Sequence, residues 1–376
     1  MAETQESRDP HPQGVADTSA DPTGQDLPSQ EARRGGRLQE RVNDQKEKGA
    51  QLSLQTVVRM VASQDYIGLL VATVVLVLGI GVVHPNFLDP KQLLDILSQA
   101  TYVAILACGM AFLLSMRELD LSVGSIYALT VMCSALLMQA GVPSWLGVLA
   151  GLVIGALLGL VNGLLIQWFR LPSFIATLAT AAIFRGLTFA LGNGQQIIGL
   201  SLSDPFANLI GGHLFSIPTN VWVLIVIVIL LTVLLRTTPF GYRVRSIGSN
   251  PEAAVFSGLP VVSVRIMAFV LMGTLGGLAG MLSLGYLGAS DPNLGLNYEL
   301  LAIASAVIGG TPLKGGLASP VGAALGAILL GVVSSGLAYF NVPINWTAFA
   351  TGAVILLAVS LDSLLRRART RHGPNL

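Results

Sequence analysis

Asp120, Ser122, Asn162, Arg185 and Glu299 stand inside or at the ends of long apolar runs. In hydrocarbon an ionisable or amide side chain is costly unless it is paired or used. Residues of these types line a path, form a gate or hold helices together, and none has a partner for covalent chemistry. His11, His84, His213 and His372 all fall outside the apolar runs. That position removes a Ser/His hydrolytic pair and an axial haem ligand from within them. Cys108 and Cys133 lie inside apolar runs without metal-like spacing to any other ligand, so they read as small buried hydrophobes and no metal site is expected. Each polar residue also has a structural reading. Asp120 or Ser122 can cap a following helix, Asn162 and Gln99 can hydrogen-bond across helices, and Arg185 can pair or snorkel. Asp120 and Glu299 sit at span ends, whereas an ion-coupled carrier usually needs a carboxylate deep in a span. The driving energy is therefore expected from another protein.

A second group lies in SNPEAAVFSGLP, between two apolar runs. Asn250 is a good N-cap, Pro251 suits the first helical position, and Glu252 favours the positive end of the helix dipole. Ala253 and Ala254 continue the helix, and Gly258 supplies a left-handed stop. These signals predict about two turns, too short to be stable alone, so this helix needs a partner to lie in.

The elements that must position these residues are membrane spans. The chain is 53% apolar and only 11% charged, with a mean hydropathy of +0.71, which excludes an ordinary soluble globular fold. A span needs about 20 apolar residues, and such runs lie near 66–83, 93–116, 121–141, 146–167, 172–192, 219–236, 264–288, 318–340 and 346–363. One more, 299–310, covers only about 18 Å as a straight helix, so it is expected to be broken or re-entrant. The predicted fold is all-α: an integral membrane bundle of about ten transmembrane helices.

Lys and Arg favour the cytoplasmic side. Alternating ten segments from a cytoplasmic N-terminus places Arg117, Arg170, Arg236, Arg243, Arg245, Arg265, Lys314 and the Arg366, Arg367, Arg369, Arg371 tail inside, with Lys91 the exception. Both termini are then cytoplasmic. The longest outer loop is Asn193 to Pro218, and the longest inner one between spans is Thr237 to Val262. In the fourth span Gly147, Gly151, Gly155, Gly159 and Gly163 recur at four-residue spacing, and the seventh carries Gly273 and Gly277. Such stripes let neighbouring backbones approach closely.

Outside the spans, 18 of the 41 Asp, Glu, Lys and Arg residues fall in the first 64 positions. Residues 1–64 are therefore read as a charged cytoplasmic tail, disordered to about residue 50, with a weak interfacial turn from Leu52 to Met60. No cleaved secretory peptide is expected. The transmembrane domain follows over 65–363, with a cytoplasmic loop at 237–262, and a basic tail over 364–376. The stretch Gly309 to Gly315 lacks the spacing of a phosphate loop, so the chain is not expected to hydrolyse ATP.

Several long stretches in order resemble the ribose/xylose-type carbohydrate permeases of binding-protein-dependent ABC importers, over roughly residues 66–363. They are LDLSVGS, NGLLIQWFRLPSFIATLATAAIFRG, GYRVRSIGSNPEAAVFSGLP and YELLAIASAVIGGTPLKGG. Glu252-Ala253-Ala254 followed by Gly258 is similar to the EAA loop, whose short helix docks into the ATPase subunit. The resemblance implies a bacterial inner-membrane permease, not itself an enzyme. It implies a second permease copy, usually as a homodimer, a cytoplasmic ABC ATPase that carries ATP and Mg, and a periplasmic sugar-binding protein. Lipid surrounds the chain, no cofactor is bound by it, and no nucleic acid is implied. The chain departs from the pattern at Glu118, where a small residue is usual, at Leu301, where an acidic residue is common, and at Pro312, where a serine is usual. A branched-chain amino-acid permease of a related ABC class, and a secondary carrier or channel, are the rival readings.

Overall fold

The computed structural model describes residues 66–198 and 205–343, with a few single positions as far as 356. The expected N-terminal tail, most of the last span and the basic C-terminal tail lie outside the described residues.

Among the described residues, nine apolar helices occupy the expected runs. They are α1 (Ile67–Val83), α2 (Pro90–Ser115), α3 (Val123–Gln139), α4 (Ser144–Phe169) and α5 (Ser173–Leu191), then α7 (Thr219–Thr237), α10 (Val261–Leu287), α11 (Tyr298–Ile308) and α12 (Pro320–Tyr339). Six of these are long and apolar enough to cross a membrane. The loops hold three elements that the apolar pattern did not announce. A short helix α6 (Pro205–Gly211) precedes a two-residue hairpin, β1 (His213–Leu214) with β2 (Ile217–Pro218), and helix α8 (Pro239–Ser249) precedes α9 (Pro251–Phe256).

Helix α2 is the central column. It is 89% buried along its apolar window against 28% for α5, so α2 packs on protein all round while α5 turns much of its surface outward. The glycine stripes bring backbone against backbone. A Cβ at Gly159 would lie 2.2 Å from the Phe269 carbonyl oxygen, and one at Gly155 2.4 Å from that of Gly273. On α10, a Cβ at Gly273 or Gly277 would meet the carbonyls of Gly155 or Gly151, and on α4 one at Gly163 would meet the Cα of Ile266. Gly147 faces Met138 of α3 instead, so the α4 stripe serves two neighbours.

Two ends of the bundle are distinct. At the basic end Glu118 pairs with Arg265 at 2.7 Å, and the Gly316 N–H donates to the Ser115 carbonyl at 2.8 Å. At the other end His84 packs on Phe340 with ring centroids 4.8 Å apart, and Ile197 forms a β-bridge with Ser290.

Two irregular segments enter the bundle from these opposite ends. Residues 116–122 leave α2 at the basic end through Arg117, in the left-handed region at φ 65°, and rise to start α3. Residues 288–297 leave α10 at the other end through Gly288 and descend to start α11. The descending segment meets the first turn of α3 at Gly124, where a Cβ would lie 2.3 Å from the Gly295 carbonyl oxygen. Helix α11 therefore begins inside the bundle and, with its 11 residues, completes a crossing that the descending loop began. It ends against α12, where Gly309 and Gly322 touch backbone to backbone.

Candidate functional site

The meeting point of the two irregular segments is a buried polar junction. Asp120, Ser122 and Asn162 are all fully buried. Asp120 Oδ1 accepts from the Ser122 N–H at 2.8 Å and from the Ser122 hydroxyl at 2.6 Å, and Ser122 Oγ accepts from Asn162 Nδ2 at 2.7 Å. Asp120 Oδ2 and Asn162 Oδ1 have no hydrogen-bond partner among the described residues. Ser122 occupies the N-cap position of α3, yet its side chain does not cap the helix. The expectation of a side-chain cap from Asp120 or Ser122 is therefore corrected. The oxygen of Asp120 is used up two residues on, turning the chain before the helix begins.

The irregular backbone of this segment needs donors and acceptors that no ladder supplies. Two come from α5: the Leu119 N–H donates to Ser173 Oγ at 3.1 Å and the Leu121 N–H to Thr177 Oγ1 at 3.0 Å. Neither residue stands out in the sequence alone, although Ser173, Thr177, Thr180 and Thr188 form a buried polar stripe on α5. That stripe was the available signal.

Arg185 does not pair with a carboxylate among the described residues. Its Nη1 donates to the backbone carbonyls of Pro292 and Leu294, at 2.7 and 2.8 Å, and so fastens the descending loop to α5. Glu299 stands in the first turn of α11, facing Gly124, within electrostatic reach of Arg185 and Asp120. The structure thus brings Asp120, Ser122, Asn162 and Glu299 together, with Arg185 one loop away. Gln99 is exposed and makes no cross-helix bond among the described residues, against expectation. Its face of α2 lies near the helix start, before the buried stretch from Ala100 onward. Such a junction can hold two irregular segments in register.

The second candidate site is the loop at the basic end. Thr238 caps α8 by accepting from the Gly241 N–H at 3.2 Å, and Asn250 Oδ1 caps α9 by accepting from the Ala253 N–H at 3.0 Å. Pro251 opens α9, Glu252 lies in its first turn, and Gly258 follows it at φ 75°. Ala254 is buried against the bundle while Val255 is 61% and Phe256 91% exposed. Among the described residues this six-residue helix has one face seated and a bare aromatic on the other.

Residues 92–359 match the family described as "Branched-chain amino acid transport system / permease component". The chain is 38% identical over 288 residues to the ribose import permease protein RbsC of Bacillus subtilis, covering 77% of this chain and 89% of that one. It is 35% identical to the L-arabinose ABC transporter permease protein AraH of Azospirillum brasilense, over 80% of this chain and 88% of the relative. It is 33% identical to the D-allose transport system permease protein AlsC of Escherichia coli, over 75% and 86%. No solved structure matches the chain.

Proposed function

The chain belongs to the family of branched-chain amino acid transport system permease components, and from that membership we propose that it is the membrane-spanning subunit of an ATP-driven importer for a monosaccharide or related polyol. The observation that carries the cargo class is the near full-length similarity to permeases named for ribose, L-arabinose and D-allose, spanning 86–89% of each relative. The family description covers amino-acid permeases as well, and the named relatives favour sugar. The chain sits in the bacterial inner membrane with both termini cytoplasmic, so the basic end of the bundle faces the cytoplasm.

In this reading α9 docks into a cytoplasmic ABC ATPase, which binds ATP and Mg. A periplasmic binding protein delivers the sugar to the opposite end, and a second permease copy completes the path. This chain moves its cargo without making or breaking a bond. Asp120, Ser122, Asn162 and Glu299 hold the irregular segments that shift when the ATPase closes, and Arg185 anchors the outer one.

The test is uptake by membrane vesicles that hold ATP, with ionophores collapsing ion gradients, offered labelled D-ribose, L-arabinose, D-allose or L-leucine. ATP-dependent uptake of at least one sugar that survives the ionophores is expected. Leucine uptake alone would favour the amino-acid reading, and uptake abolished by ionophores would favour a secondary carrier. Glu252→Lys should impair uptake at unchanged membrane abundance, since it reverses a dipole interaction of about 0.3–1 kcal/mol and presents the wrong sign to the partner. Gly258→Val should do the same, because a β-branched residue resists the left-handed conformation.

A further inference from the structure

Arg117 stands at the basic end, outside both candidate sites, in a place where three segments of the chain touch. Its Nε donates to the Gly248 carbonyl at 2.9 Å and its Nη2 to the Ser249 carbonyl at 3.0 Å. Those are the last two residues of α8, and Ser249 directly precedes the cap of α9. The guanidinium thus takes the free carbonyls at a helix end that normally need a cap. Around it the backbones have no room between them. A Cβ at Gly248 would lie 1.5 Å from the Ser115 carbonyl oxygen, and one at Gly315 2.7 Å from Arg117 Cγ. The Gly316 N–H closes the knot by donating to Ser115. Arg117 itself adopts φ 65°, a conformation that non-glycine residues hold only where their surroundings impose it.

The residues immediately after Arg117 are equally constrained. Glu118 is paired with Arg265, Leu119 and Leu121 are held by α5, and Asp120 and Ser122 enter the buried junction. The exposed docking helix is therefore joined to the buried polar junction by one short segment, clamped at its start by one side chain. We infer that Arg117 is a positioning residue that fastens α8 and α9 to the end of the central helix, so that displacement of α9 is delivered along residues 117–122 to Asp120. Arg117 is exposed, yet one edge of its guanidinium, Nε with Nη2, is committed to two successive carbonyls of another helix. The fastening stands on the geometry alone, while the delivery of motion rests on the transport reading above.

Two measurements separate these. Spin labels at Phe169→Cys and Phe256→Cys, both exposed in the parent, with Cys108 and Cys133 replaced by alanine, report the position of α9 against the end of α4. One narrow distance distribution is expected for the parent and a broad one for Arg117→Ala; a parent-like distribution would overturn the fastening. The second measurement uses the complex purified from host membranes through a tag on this chain. It is placed in proteoliposomes with the host's periplasmic fraction and offered D-ribose, L-arabinose or D-allose. Sugar moved per ATP hydrolysed is expected to fall about tenfold in Arg117→Ala, a usual size for coupling between two sites. A merely destabilising change lowers both rates together and leaves that ratio alone, so an unchanged ratio would overturn the delivery. Should Arg117→Ala fail to accumulate, Arg117→Gln, which keeps the stem and one amide donor, is read by the same two criteria. If the parent moves none of the three sugars, the transport reading fails, while the distance distributions still decide the fastening.

Discussion

Among the described residues, Asn162 holds the only side-chain amide that donates to Ser122 in the buried junction. Without it the hydroxyl that serves Asp120 loses its own partner in a site closed to water, where an unmet polar group costs about 1–3 kcal/mol. Asn162→Ala is expected to lower the Tm of the detergent-purified chain, with Gln99→Ala, at an exposed position, close to the parent. Equal Tm values for the two would show that the junction adds nothing to stability. Asp291, in the loop after α10, makes a pH-dependent latch. One oxygen accepts from the Asn293 N–H at 2.7 Å and from its side chain, and the other accepts from Gln196. Partial burial opposes its charge, but these hydrogen bonds prevail and hold the carboxyl below the usual carboxylate range. A carboxyl whose folded value is depressed contributes stability above its unfolded value, about 3.9, and loses it as the pH falls through the folded value. The Tm gap between parent and Asp291→Asn should therefore be steady from neutral pH to near 4 and close in stronger acid. A gap that persists there would assign the effect to shape and not to charge.

At the scale of elements, α4 and α10 meet through glycine because any side chain would strike the facing backbone. Overpacking a core costs roughly 1–3 kcal/mol when side chains can adjust, and here the obstacle is a carbonyl. Gly159→Leu is expected to remove most of the chain from the membrane fraction, whereas Gly79→Leu, with open space around the site, should accumulate like the parent. Comparable abundance for both would mean that the seam is loose. The same scale gives Glu118 its place. Here the carboxylate has Arg265 across from it, and the pair ties the rising segment to the foot of α10.

For the whole molecule, the proposed orientation, drawn from charge asymmetry, has the basic end inside. An introduced cysteine at exposed Phe215 should react with an impermeant reagent in intact cells, and one at exposed Phe256 should react only after lysis. The reverse pattern would invert the molecule and remove α9 from any cytoplasmic ATPase. The spans could be read from the residues because crossing about 30 Å of hydrocarbon is a demand on each run separately, met or failed within its own 20 residues. The short capped helix α9 could be read for the same reason, since Asn250, Pro251, Glu252 and Gly258 act over a single turn or two. Even the shortness of α11 was a local fact. The long-range contacts stayed hidden. Nothing periodic marks Gly124 as the neighbour of Gly295, or Arg117 as the clamp on Gly248, because those contacts join segments far apart in the chain and leave no pattern in either one. The amino-acid order by itself determined which runs are apolar helices and where a short capped helix projects between them. Only tertiary packing decided that two breaks entering from opposite ends would meet, since buried backbone without a helix or ladder must find its hydrogen bonds wherever the rest of the fold brings them.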